Sequence, residues 1–131
     1  MKAVARLEAR PFTHRIQIRD YVLTADEPPE QGGSDEGPTP QELLAASLAS
    51  CVAITIEMYA QRKGWDLGAI EVECDYDVPE RGASTRFDLV LRLPSGCSDE
   101  QVERLRAIAA RCPIHRTLEG QVTFTERIER L

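Results

Sequence analysis

Apolar and polar residues alternate with a period of two in IEVECDYDV, residues 70–78. Ile70, Val72, Cys74, Tyr76 and Val78 fall on one face, and Glu71, Glu73, Asp75 and Asp77 on the other. Successive side chains of a strand point to opposite faces, so the pattern predicts a strand with one buried and one wet face. After a turn around Gly82 the alternation resumes with Phe87, Leu89, Leu91 and Leu93, which predicts the second arm of an antiparallel hairpin. Shorter runs read as strands at 3–10, at 14–25 with a turn at Arg19 and Asp20, and at 122–128 in VTFTERI.

The period changes at TPQE, residues 39–42. Thr39 is placed as an N-cap, Pro40 at the first helical position and Glu42 to close a capping box. Arg62 and Lys63 suit the negative end of a helix dipole and Gly64 a left-handed terminus, so the helix is predicted to run to Lys63. From Leu43 to Tyr59 it is apolar nearly all round, as expected of a helix buried on most faces. A second capping box, SDEQ at 98–101, opens a helix with Val102, Leu105, Ile108 and Ala109 as its buried stripe. Pro113 is predicted to end it at Cys112, with a short turn or helix following through Leu118 and Gly120. Between the N-terminal strands and the long helix, DEPPEQGGSDEGP at 26–38 is too rich in Pro, Gly and acids for a regular element. It reads as a solvated connector or as a rim over a pocket, and its acids lack an EF-hand spacing.

This order predicts one α+β domain over residues 1–131, an antiparallel sheet with helices segregated from it. A single small sheet cannot cover so oily a helix. The pattern therefore predicts a dimer in which the helix packs on its symmetry mate.

Composition sharpens the picture. The chain has 131 residues, enough for one core without disulfide or metal staples. Aromatics are only 5%, so Leu, Ile, Val and Ala must fill that core. A net charge of −6 argues against nucleic acid or an anionic membrane as partner, because both are held by clustered Lys and Arg. MKAVARLEARPFTHRIQ has no continuous apolar h-region, and the apolar run at 43–56 is too short to span a bilayer, so the expected location is cytoplasmic.

Four cysteines in a reducing compartment are not a disulfide framework, and each is judged by its setting. Cys74 lies on the inward face of its strand, where a small hydrophobe fits. Cys97, in PSGCS, is expected to be exposed in a turn. Cys51 shares a helix face with Leu44, Ser47, Leu48, Thr55 and Met58. It lies about 18 Å along the axis from the N-cap, beyond reach of the helix dipole, so a thiolate there needs a cation from elsewhere. Cys112 continues the buried stripe of the second helix and precedes Pro113, His115 and Arg116. Two readings stand: both sulfurs fill the core, or both face one cavity and cycle between dithiol and disulfide. A zinc site of Cys51, Cys112 and His115 lacks a fourth ligand and the usual paired spacing.

DEPPEQGGSDEGPTPQELLAASLASC, then MYAQRKGW, then CPIHRTL resemble, in order and over essentially the whole chain, the OsmC/Ohr family of osmotically inducible and organic hydroperoxide resistance proteins. The resemblance implies an intertwined α+β homodimer with a thiol peroxidase site at the interface. Cys51 would be the reactive cysteine and Cys112 the resolving one. The substrate would be an organic hydroperoxide and the reductant a small dithiol or a lipoylated protein, with no metal or bound cofactor. An activating arginine on an early strand is expected at Arg19, or else at Arg15. Where the Ohr branch has a glutamate this chain has Gln41, and Glu42, one place on, falls on the opposite side of the helix from Cys51 and reads first as a cap. The competing class is an OsmC-fold protein that binds a small apolar ligand or partner, its cysteines serving as core or as a slow redox sensor.

Overall fold

The computed structural model describes residues 1–131 and has the α+β composition expected from the pattern. Strands β1 (Val4–Leu7), β2 (His14–Ile18) and β3 (Tyr21–Ala25) form an antiparallel meander in that order. Ile18 pairs with Tyr21 across the tight turn, where Arg19 takes a left-handed φ of 53°. β1 is shorter than the run at 3–10 suggested, because residues 9–12 already turn toward β2. Strands β4 (Glu71–Asp77) and β5 (Arg86–Arg92) make a second, two-stranded sheet in which the predicted alternation is seen residue by residue. Tyr76 stacks on Phe87 at 4.6 Å, and Arg92 bonds Glu71 at 2.6 Å and Glu73 at 2.8 Å. Cross-strand pairs of both kinds fix a hairpin's register.

Helix α1 (Pro40–Lys63) begins on the predicted box: the Thr39 amide donates to Glu42 Oε2 at 2.8 Å and the Glu42 amide to Thr39 Oγ1 at 3.2 Å. It ends on Gly64 at φ 70°, with the Trp65 amide reaching back to the Ala60 carbonyl at 2.9 Å. That closing bond satisfies a carbonyl the helix would otherwise leave bare. With 24 residues, α1 is long and apolar enough to cross a membrane by length and composition, a test that the core helix of a soluble protein also passes. It is also less covered than the pattern implied. Only Leu48, Val52, Ile56 and Ala60 are buried, one stripe with a step of four, while Ile54 and Met58 are half exposed.

The chain divides into two compact units. One comprises Met1–Ala46 and Tyr76–Phe87, the other Ser47–Asp75 and Asp88–Leu131. In the first, the loop at 26–38 is not a loose connector. A single 3-10 turn at Pro29–Gln31 breaks it, and Asp26, 1% exposed, ties it together. The Asp26 carboxylate accepts from Thr13 Oγ1 at 2.9 Å and from the Glu27 and Glu36 amides at 2.8 and 3.2 Å. Two glycines make so tight a fold possible. A Cβ on Gly33 would lie 1.8 Å from the Glu27 carbonyl oxygen, and one on Gly37 2.5 Å from that of Thr24.

In the second unit the buried residues are the α1 stripe, Leu105, Ile108 and Ala109 of helix α2 (Asp99–Ala109), and Cys112. α2 opens on its predicted box, the Gln101 amide donating to Ser98 Oγ at 3.1 Å and the Ser98 amide to Gln101 Oε1 at 2.9 Å. It ends three residues earlier than predicted. The residue before a proline is driven out of the helical region, so Cys112 is extended (φ −60°, ψ 143°) and Pro113 opens a separate helix, α3 (Pro113–Glu119). The strand expected at 122–128 is not formed. Residues 121–131 make no ladder, and Phe124 and Ile128 stand exposed.

Candidate active site

Cys51 and Cys112 reach one place by different routes. Cys51 is at the middle of α1, half buried, three residues from Leu48 and one from Val52 of the core stripe. Its carbonyl accepts from Thr55 Oγ1 at 2.8 Å. Cys112 has no exposed surface and is the N-cap of α3. The Cys51 thiol is among the groups that act on Cys112, so the two side chains are neighbours. Both are free sulfhydryls.

Burial pushes the Cys112 thiol above its ordinary value. The His115 amide, 3.2 Å from Sγ, opposes the shift, the Cys51 thiol adds to it, and the Ile114 amide opposes it in turn. Desolvation wins because it penalises the charge on every side, while the two amides offer only partial charges. None of the groups acting on Cys112 is an arginine. The pair is thus a dithiol in an apolar setting, protonated at Cys112, that two backbone N–H groups can stabilise as charge develops on sulfur.

The other predicted residues are elsewhere in use. Arg19 is exposed in the β2–β3 turn, its guanidinium 5.0 Å from the centre of the Tyr21 ring, while Arg15 is exposed as the second residue of β2. Glu42 is the cap partner of Thr39. Cys74 faces inward on β4 with its thiol raised by burial and then by Asp75 and Asp88, so it is a poor nucleophile. Cys97, expected to be exposed, is half buried in a turn closed by its amide on the Pro94 carbonyl at 3.0 Å. Cys51, Cys112 and His115 do not gather as a three-ligand metal cluster; His115 Nδ1 instead lies 3.3 Å from Glu119 Oε1. Sequence reasoning missed two contributors, the His115 and Ile114 amides. Their signal was the CP dipeptide, which marks Cys112 as a cap rather than as a helix end.

A profile of the family described as OsmC-like protein matches residues 33–127, which include α1, the hairpin, both cysteines and α3. The chain belongs to the OsmC-like family. A protein of Haloferax volcanii described as uncharacterized is 26% identical over 114 residues, covering 85% of this chain and 82% of its own. Among solved structures, an OsmC-like protein of Mycoplasma pneumoniae superposes with a TM-score of 0.76 at 21% identity, over 91% of this chain and 86% of that one. An organic hydroperoxide resistance protein of Legionella pneumophila gives 0.71 at 23% identity, over 91% and 88%. Identities this low establish a shared OsmC fold.

Proposed function

We propose that this OsmC-like protein is a cysteine-based peroxidase that reduces organic hydroperoxides. The observation that carries the reading is that half-buried Cys51 neighbours the fully buried Cys112. Neighbouring thiols are the arrangement from which a disulfide of ~2.05 Å can close. The description of the Legionella protein is consistent with that chemistry. In the first step the Cys51 thiolate attacks the distal peroxide oxygen. The O–O bond breaks, an alcohol leaves with one proton, and Cys51 becomes a sulfenic acid. Cys112 then displaces hydroxide from that sulfur, its own proton leaving with it as water, and an S–S bond forms. An external dithiol, a small molecule or a lipoyl group on a protein, returns both thiols by exchange. The apolar surroundings favour an alkyl hydroperoxide over hydrogen peroxide. The thiolate also needs a cation, for which Arg19 is the first candidate and Arg15 the second.

The same reading includes a soluble, cytoplasmic homodimer. Ile54 and Met58 on α1, Leu23 on β3 and Phe124 and Ile128 beyond α3 are apolar surfaces that a second copy would cover. Steady-state turnover with cumene hydroperoxide and dihydrolipoamide tests the activity. The wild type is expected to turn over, Cys51→Ser to fall to the uncatalysed background, and Cys74→Ser and Cys97→Ser to stay nearly intact. Full turnover in Cys51→Ser, or none in the wild type, leaves a ligand-binding OsmC-fold protein instead.

A further inference from the structure

Cys112 has a second task that a resolving cysteine does not require. α3 begins with Pro113, which has no N–H, so its first two free donors are the Ile114 and His115 amides. Both act on Cys112 Sγ, the His115 nitrogen at 3.2 Å. The first intrahelical bond, from the Arg116 amide to the Cys112 carbonyl at 3.0 Å, comes only after them. Beyond this cap the helix is held by local bonds: the Thr117 hydroxyl donates to the Pro113 carbonyl at 2.9 Å and the Gly120 amide to the Arg116 carbonyl at 3.2 Å. It has seven residues, none of them buried, and a helix so short does not persist in water on propensity alone. C-terminal of it, residues 121–131 join no helix or strand.

We propose that the redox state of the Cys51 and Cys112 pair sets the order of α3 and of the segment beyond it: the dithiol caps the helix, and the disulfide releases it. The inference rests on the reading above for the formation of the disulfide in the reaction cycle. Closure consumes the sulfenic acid on Cys51 and the thiol of Cys112, breaks the S–O bond, forms the S–S bond and yields water. The sulfur that capped α3 is then committed to a second covalent bond. Its direction is also dictated by a bond of about 2.05 Å and a dihedral near ±90°, rather than by the two amides it served. Oxidation therefore orphans two donors at the start of a helix that has no buried side chain to hold it. Reduction by the external dithiol restores the cap. An oxidised chain would in this way present a different C-terminal surface from a reduced one, and a dithiol partner could distinguish the two.

Amide hydrogen exchange over residues 113–120 tests this, on the reduced protein and on protein oxidised with diamide and shown by mass to hold the 51–112 disulfide. Protection is expected to fall by about fivefold or more in the disulfide form, the scale of losing one helix cap, and to recover with dithiothreitol. In Cys112→Ser, whose hydroxyl is a good cap, protection should persist through diamide treatment. In Cys112→Ala it should be low with and without oxidant. Equal protection of α3 in the dithiol and disulfide forms of the wild type overturns the inference, as does failure of diamide to join the two sulfurs. A disulfide that loosens α3 when made with diamide but does not form with hydroperoxide keeps the cap and rejects the peroxidase.

Discussion

Asp26 is the residue whose role the sequence conceals most. It is one of several acids in 26–38, yet it alone is buried and accepts from a hydroxyl and from backbone amides on both sides of the loop. Burial pushes its carboxyl up, but the Glu27 amide, the Thr13 hydroxyl, the Ser34 amide and Arg10 together outweigh this and hold it below the usual carboxylate range. A carboxyl depressed in the folded state stabilises the fold at every pH above its unfolded value, near 3.9, and that contribution is lost as pH falls through the folded value. Acid titration of stability should therefore show a loss below about pH 4 that Asp26→Asn flattens. The variant should also be less stable than the wild type at pH 7, with 26–38 the first segment cut by protease. Equal melting temperatures at pH 7 would contradict the tie. No periodicity or motif separates Asp26 from Glu27 or Asp35, because its burial depends on Thr13, 13 residues upstream.

Among the elements, what was legible followed local physics. Both capping boxes, the Gly64 terminus and the alternation of β4 and β5 are written in neighbouring residues, and each appears where its signature stands. The end of α2 was local too, but two rules competed. The stripe of Leu105 and Ile108 extends to Cys112, while the residue before Pro113 is steered to extended backbone, and the second prevailed. Cys112 is consequently buried as the stripe predicts and capping as the proline dictates. VTFTERI is the opposite case. Its alternation suits a strand, but a strand must pair with an edge, and these residues pair with none in the chain.

At the scale of the whole molecule, that unpaired segment and the bare side of α1 point to a second copy. Ile54 is 55% and Met58 50% exposed on a helix with almost no polar side, and Phe124 is 84% exposed in the tail. Surface of this kind is seldom left in water. Sedimentation at micromolar concentration should show a dimer, and Ile54→Glu with Met58→Glu should give monomer by placing charges where the partner helix is expected to lie. A wild-type monomer at that concentration would contradict the homodimer. The central claim, that Cys51 and Cys112 are two halves of one redox site, is tested most directly by peptide mapping after one equivalent of organic hydroperoxide. A 51–112 disulfide is the predicted result, with Cys112→Ser stopping at a sulfenic acid on Cys51 that dimedone traps. A map in which Cys51 stays a free thiol, or pairs with Cys74 or Cys97, would contradict it.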